Sequence, residues 1–140
     1  MKDARSALID IKIHVKIRIS ALWASVMFCY IYGDYLGLYV PGQIAGMLQG
    51  QGPIGSTSQA TLAAVAILMA VPAVMIFLSL VLPAELNRWV NIAVGVILTV
   101  IVLITMPGAW AFYILLSTVE VALQLVIVWY AWNWPRQEAA

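Results

Sequence analysis

Charge is scarce in this chain, and so are the residues that do chemistry. Only 9% of its 140 residues are charged, against about 25% in an ordinary soluble domain. One cysteine, Cys29, means that no disulfide forms within the chain. Thiol redox chemistry, which needs a cysteine pair, is excluded for the isolated chain. The one histidine, His14, has no second histidine or cysteine beside it, so no metal site is expected. No Ser-His-Asp set, glycine-rich phosphate loop or paired metal ligands occur, so no cofactor is expected and an enzyme is the weakest functional class. A net charge of +1 carries no signal for nucleic acid.

What the chain does have is apolar length. Hydrophobic residues make up 64% of it and gather into runs at 19–39, 61–82, 89–106 and 110–132. Each run is close to the ~20 residues that cross a ~30 Å hydrocarbon core. The spacing predicts one domain over 1–140, an all-α, integral membrane antiparallel four-helix bundle. Its basic residues sort to one side. Lys2, Arg5, Lys12, Lys16 and Arg18 precede the first run, Arg88 lies between the second and third, and Arg136 follows the fourth. The connections after the first and third runs hold no Lys or Arg. By the positive-inside rule the termini and the Arg88 turn face the cytoplasm, which predicts a multi-pass protein of a bacterial inner membrane. The first run is too long for a secretory signal and no clean small-residue cleavage site follows it, so it is expected to remain as a membrane helix.

The arm over 1–18 ends in IDIKIHVKIRIS at 9–20, where β-branched and polar residues alternate as in a strand. Three readings stand: a helix that begins early, near Lys12, with its basic side chains at the head groups; a strand paired between subunits; or a disordered arm. Pro41-Gly42 should end the first helix. The loop over 40–60 is long and glycine-rich, with Ile44, Met47 and Leu48 spaced for a short interfacial helix and Ser56, Thr57 and Ser58 placed to cap the second span. It reads equally as a passive lid and as a ligand-contacting one. Trp89, Trp129, Trp132 and Trp134 mark the inner interface, with Tyr39 and Trp110 at the outer one. Gly33 with Gly37, the Ala63, Ala66, Ala70 and Ala73 stripe, and the Asn87, Asn91, Gly95 and Thr99 row are faces on which helices can approach. Pro72 should kink the second span.

Two acids lie inside the runs. Asp34 falls about 10 Å below the outer end and Glu120 about 18 Å from the inner end, near the midplane. An ionised carboxylate there costs a few kcal/mol at least, so each needs a partner, a proton or water. Tyr113, Ser117, Glu120 and Gln124 share one face of the last span, and depth counting brings Tyr30 and Thr99 level with Glu120. One polar column of Tyr30, Asp34, Thr99, Tyr113, Ser117, Glu120 and Gln124 is the candidate site. The carboxyl of Glu120 should face the interior, within hydrogen-bonding distance of Tyr30, Thr99 or a group beside Asp34. At the cytoplasmic end Arg18, Asn87, Arg88 and Asn91 form a second set. Arg88 lies too far from Glu120 to pair with it and should cap helix ends or meet head groups.

The segments ISALW at 19–23 and MFCYIYGDYLGLYVPG at 27–42, then LMAVP at 68–72, MIFLS at 75–79, NRW at 87–89 with Asn91, Glu120, and VWYAW at 128–132 with Trp134 and Pro135 resemble a bacterial family of small four-helix membrane proteins annotated only as a domain of unknown function. The resemblance spans nearly the whole chain. It implies four spans and puts Asp34 and Glu120 inside family-type motifs, and it brings no substrate.

Three functions remain open on these residues: a path for a proton, cation or small solute along the acidic column; a non-catalytic accessory or scaffold protein whose acids only fasten helices; and a binder of a small amphiphile. The expected partners are the lipid bilayer and a second copy of the chain, with no nucleic acid.

Overall fold

The computed structural model describes residues 11–52 and 55–135. Lys2, Arg5, Arg136 and the first two residues of the alternating segment, Ile9 and Asp10, lie outside them. The elements are α1 (Val15–Gly37), α2 (Gln43–Leu48), β1 (Gln51–Gly52), β2 (Gly55–Ser56), α3 (Gln59–Val81), α4 (Ala84–Thr105) and α5 (Ala111–Trp132). The four long helices, α1, α3, α4 and α5, are each long and apolar enough to cross a membrane.

Of the three readings of the alternating segment, its described residues take the helix, from Val15 onward and not from near Lys12. Residues 11–14 have no regular structure, and α1 starts at Val15, where His14 Nδ1 accepts from the Lys16 backbone N–H at 3.3 Å. A helix satisfies its backbone within one segment, which an unpaired strand in an apolar environment cannot do. The basic side chains of the alternation then brace neighbours. Lys16 Nζ donates to the carbonyls of Leu82 (2.7 Å) and Leu80 (3.3 Å), which close the C-terminal end of α3. The guanidinium of Arg18 lies over the Tyr130 ring of α5, 5.6 Å from its centroid.

α1 ends at Gly37 rather than at Pro41-Gly42. The turn Leu38–Val40 winds down through bonds from Tyr39 N to Leu36 O and from Val40 N to Gly37 O. Gly42, at φ +85°, then opens α2, a conformation that glycine adopts without a Cβ penalty. The loop carries the expected short helix and also an antiparallel hairpin, Gln51 opposite Ser56 and Gly52 opposite Gly55. Ser58 caps α3 in a capping box with Thr61. α3 runs unbroken through Pro72.

Around the bundle the order is α3, α1, α5, α4. The last of these closes back on α3 more loosely than any other adjacent pair meets. Each helix turns a seam inward at spacings of three and four: Ile19, Trp23, Val26 and Gly33 on α1; Pro72, Met75 and Ser79 on α3; Asn87, Asn91, Gly95, Leu98 and Val102 on α4; Ser117, Glu120, Gln124, Ile127 and Ala131 on α5. The Ala63, Ala66, Ala70 and Ala73 stripe is not part of this packing. All four are exposed, because the side of α3 that carries Pro72, Met75 and Ser79 faces α1 and α4 and rotates the stripe outward. Nor do Gly33 and Gly37 mark a close approach: a Cβ at Gly33 would stand 3.9 Å from Leu116 Cδ1 of α5, an ordinary contact, and one at Gly37 would meet nothing within 4 Å.

Candidate functional site

The polar residues divide into two groups at different levels. The first lies at the end of the bundle that carries the Lys16 and Arg88 side chains, here the basic end. Trp23 Nε1 of α1 donates to Asn91 Oδ1 at 2.6 Å, and Ser79 Oγ of α3 donates to the same oxygen at 3.2 Å. Asn91 Nδ2 donates to Asn87 Oδ1 (2.6 Å) and Asn87 O (2.8 Å). Asn87 Nδ2 in turn donates to the Ser79 carbonyl at 2.7 Å. Ser79, Asn87 and Asn91 are all fully buried, and their amide and hydroxyl groups are spent on one another. Buried polar groups that are mutually satisfied rigidify a core. Asn87 and Asn91, expected on an inter-helix face, thus form a three-helix fastening with two partners that the sequence reading missed, Trp23 and Ser79. Trp23 was legible: it lies seven residues before Tyr30 and therefore on the same face of α1.

Arg88, next to that fastening, is held by aromatics. Its guanidinium lies 5.2 Å from the Trp89 ring centroid and 5.7 Å from that of Trp132, a cation–π sandwich. Its Nε is enclosed without a hydrogen-bond partner. Arg88 does not reach the level of Glu120.

The second group lies further along the bundle. Gln124 is fully buried and bridges three helices: Thr99 Oγ1 donates to its Oε1 at 2.9 Å, and its Nε2 donates to Tyr30 Oη at 3.0 Å. Thr99 Oγ1 also reaches the Gly95 carbonyl at 2.7 Å. Gly95 permits this proximity, since a Cβ there would meet Val128 Cγ2 at 2.8 Å and the Gln124 carbonyl oxygen at 3.7 Å. Ser117 is buried on the same α5 face. Tyr113 pairs with Thr105 at 2.9 Å nearer the loop end.

Glu120 departs from expectation. Its side chain does face the interior, with 5% of its surface exposed. Yet its carboxyl makes no hydrogen bond among the described residues. The bonds expected from Tyr30 and Thr99 go instead to Gln124, one helical turn away on the same face. Glu120 is also absent from the fully enclosed, unpartnered atoms, a class that among the described residues holds only Arg88 Nε. Both oxygens of the carboxyl therefore keep some accessible surface. Asp34 departs too. It is exposed and does not join a hydrogen-bonded column. It nonetheless stands one turn beyond Tyr30 as Glu120 stands one turn beyond Gln124, which puts the two acids on facing helices at one level.

The chain therefore has two acids at one level, one buried with an accessible tip and one exposed, beside a saturated Tyr30–Gln124–Thr99 bridge. No nucleophile–base pair accompanies them, and no group of three or more His, Cys, Asp or Glu occurs among the described residues.

Over residues 8–140 the chain matches the family described as "Family of unknown function (DUF6326)". It belongs to that family. No curated protein and no solved structure matches it. Membership agrees with the resemblance drawn from the segments at 19–42, 68–79, 87–91 and 128–135, and like that resemblance it carries no activity.

Proposed function

We propose that this DUF6326 protein is a small multi-pass membrane protein that loads a proton or small cation onto the Asp34–Glu120 carboxyl pair from the loop end of the bundle. The observation that carries the reading is the Glu120 carboxyl, buried in its stem, reachable at its tip, and without a hydrogen bond among the described residues, while Gln124 beside it bonds Thr99 and Tyr30. A carboxyl kept only to fasten helices is expected to hold a hydrogen bond to a neighbouring helix. A carboxyl that binds and releases an ion needs an unfilled coordination sphere and a route to it. The basic end is closed by the Trp23–Asn91–Ser79–Asn87 bonds and the Ile19, Ile127 and Ala131 packing, which favours a carrier or gated path over a standing pore.

Charge supports an orientation as well: Lys12, Lys16, Arg18 and Arg88 at one end favour termini on the cytoplasmic side of a bacterial inner membrane. Exposed Asp34 and the outward Ala63–Ala66–Ala70–Ala73 face favour a homo-oligomer, in which a second copy covers both.

Proteoliposomes enclosing a pH-sensitive dye test the reading. Asp34→Asn with Glu120→Gln should reduce ion-driven pH change to that of protein-free liposomes, and unchanged flux overturns it. Reporter fusions that put residue 50 or 108 in the cytoplasm overturn the orientation. The saturated network at the basic end favours a second reading, a scaffold protein, under which the double variant lowers thermal stability in detergent and no flux exists to lose.

A further inference from the structure

A cavity lies at the basic end, away from the acids, in the cleft between the start of α1 and the end of α5. It encloses about 430 Å³, within the range of small-ligand sites. Lys12, His14 and Arg18 line it from one side and Trp129, Tyr130 and Asn133 from the other, and no acidic side chain among the described residues borders it. We propose that this cleft is a binding site for the phosphate of an anionic phospholipid.

Charge supports the phosphate. Two permanent cations, Lys12 and Arg18, converge with His14 on one cavity, and the first turn of α1 adds the positive end of its helix dipole. Arg18 is held from behind by the Tyr130 ring, which fixes the guanidinium while leaving its in-plane N–H groups for a bidentate oxygen partner. Position supports the lipid. Trp129 is exposed at the level where Trp89 and Trp132 are also exposed, the pattern of an interfacial aromatic belt. One turn further into the bundle, Leu125 and Val126 are exposed directly beyond Trp129 and Tyr130, an apolar track for the acyl chains of a lipid whose head group sits in the cleft. A free phosphate would use the cations and leave that track idle. The acids Asp34 and Glu120 take no part, so the site stands or falls independently of the ion-loading reading.

Native mass spectrometry of the full chain released from detergent, with phosphatidylglycerol, phosphatidylcholine or inorganic phosphate added, tests the inference. One phosphatidylglycerol should be retained in preference to phosphatidylcholine. Lys12→Gln and Arg18→Gln should each reduce the preference about fivefold, the weight of one basic residue near an anionic head group, while Arg18→Lys retains more of it than Arg18→Gln does. Arg88→Gln, which removes equal charge at the same end but outside the cleft, should leave the preference in place. Equal losses from Arg88→Gln and Arg18→Gln would show diffuse attraction and overturn the site. Displacement of the lipid by inorganic phosphate would overturn the lipid as its occupant. Circular dichroism of each variant separates loss of binding from loss of fold.

Discussion

The basic end and the middle of this bundle handle buried polarity in opposite ways. At the basic end every buried amide and hydroxyl of Ser79, Asn87 and Asn91 finds a partner, and Trp23, Ile19, Ile127 and Ala131 pack around them. One to two turns further along, Gln124 is equally well satisfied, but Glu120 and Asp34 beside it are not. The helices follow the same contrast. α3 buries Pro72, Met75 and Ser79 and nothing in the turns before them, and it meets α4 through the Ser79, Asn87 and Asn91 bonds. Order in this protein is concentrated where the buried polar groups are neutral and paired, and the two acids stand where packing is thinner.

The contrast predicts that stability and activity separate by position. The largest effect on stability is expected from Asn91→Leu, which keeps the volume but strands Trp23 Nε1, Ser79 Oγ and Asn87 Oδ1 inside the core. Unpartnered buried groups cost about 1–3 kcal/mol each before relaxation, so a loss of about 2–4 kcal/mol is expected in a denaturant titration in mixed micelles. A loss below ~0.5 kcal/mol, the scatter of an ordinary surface change, would mean that the basic end is not the anchor. Gly95→Ala should come next. Its methyl would meet Val128 Cγ2 at 2.8 Å, and overpacking of this kind costs about 1–3 kcal/mol. A neutral result, measured in the same way, would show that α4 and α5 are free to part at this level.

Much of this arrangement was legible in the residues. Run length and the absence of charge gave four spans, and the Tyr113, Ser117, Glu120 and Gln124 spacing placed one polar face on α5, which points inward at Ser117, Glu120 and Gln124. Depth counting also paired the right helices, since Tyr30, Thr99 and Gln124 do meet. Depth was the weak step on α5 and rotation on α3. Glu120 and Gln124 share a face of α5 and differ by a single turn, an axial difference finer than a count from the span ends resolves. Nor could it tell which side of α3 turns inward: small-residue spacing pointed to the Ala63–Ala73 stripe, while the Pro72, Met75 and Ser79 side is the one that faces α1 and α4. The alternating segment left a helix, a paired strand and a disordered arm open, and the cost of unpaired backbone in an apolar environment favours the helix that its described residues form from Val15. The loop hairpin had a signal, the close-set glycines at 52 and 55 that pair in it, which the reading of the loop as one short helix passed over.

A smaller effect on stability is expected from Gln124→Leu. Tyr30 Oη loses its amide donor, while Thr99 Oγ1 keeps the Gly95 carbonyl that it already reaches at 2.7 Å. Hydrogen bonds between membrane helices contribute about 0.6–1.7 kcal/mol, so a loss of about 1 kcal/mol follows, below that of Asn91→Leu. A loss as large as that of Asn91→Leu would erase the difference between the two levels.

The smallest effect should come from Glu120→Gln, although Glu120 is the ionisable group of the bundle with the least exposed surface near its middle. The substitution preserves shape and volume, and the carboxyl has no hydrogen bond among the described residues to lose. Its new amide gains donors that have no acceptor waiting for them, but the tip is accessible, so they are not trapped as stranded groups in a core would be. A change within ~0.5 kcal/mol is expected in the micelle titration, of either sign. This near-silence in stability gives the flux measurement its meaning, because a variant that folds as well as the parent and carries no ion has lost the site and not the scaffold. Destabilisation equal to that of Gln124→Leu would reveal that the carboxyl is bonded after all, and would return Glu120 to the same structural role as its neighbour.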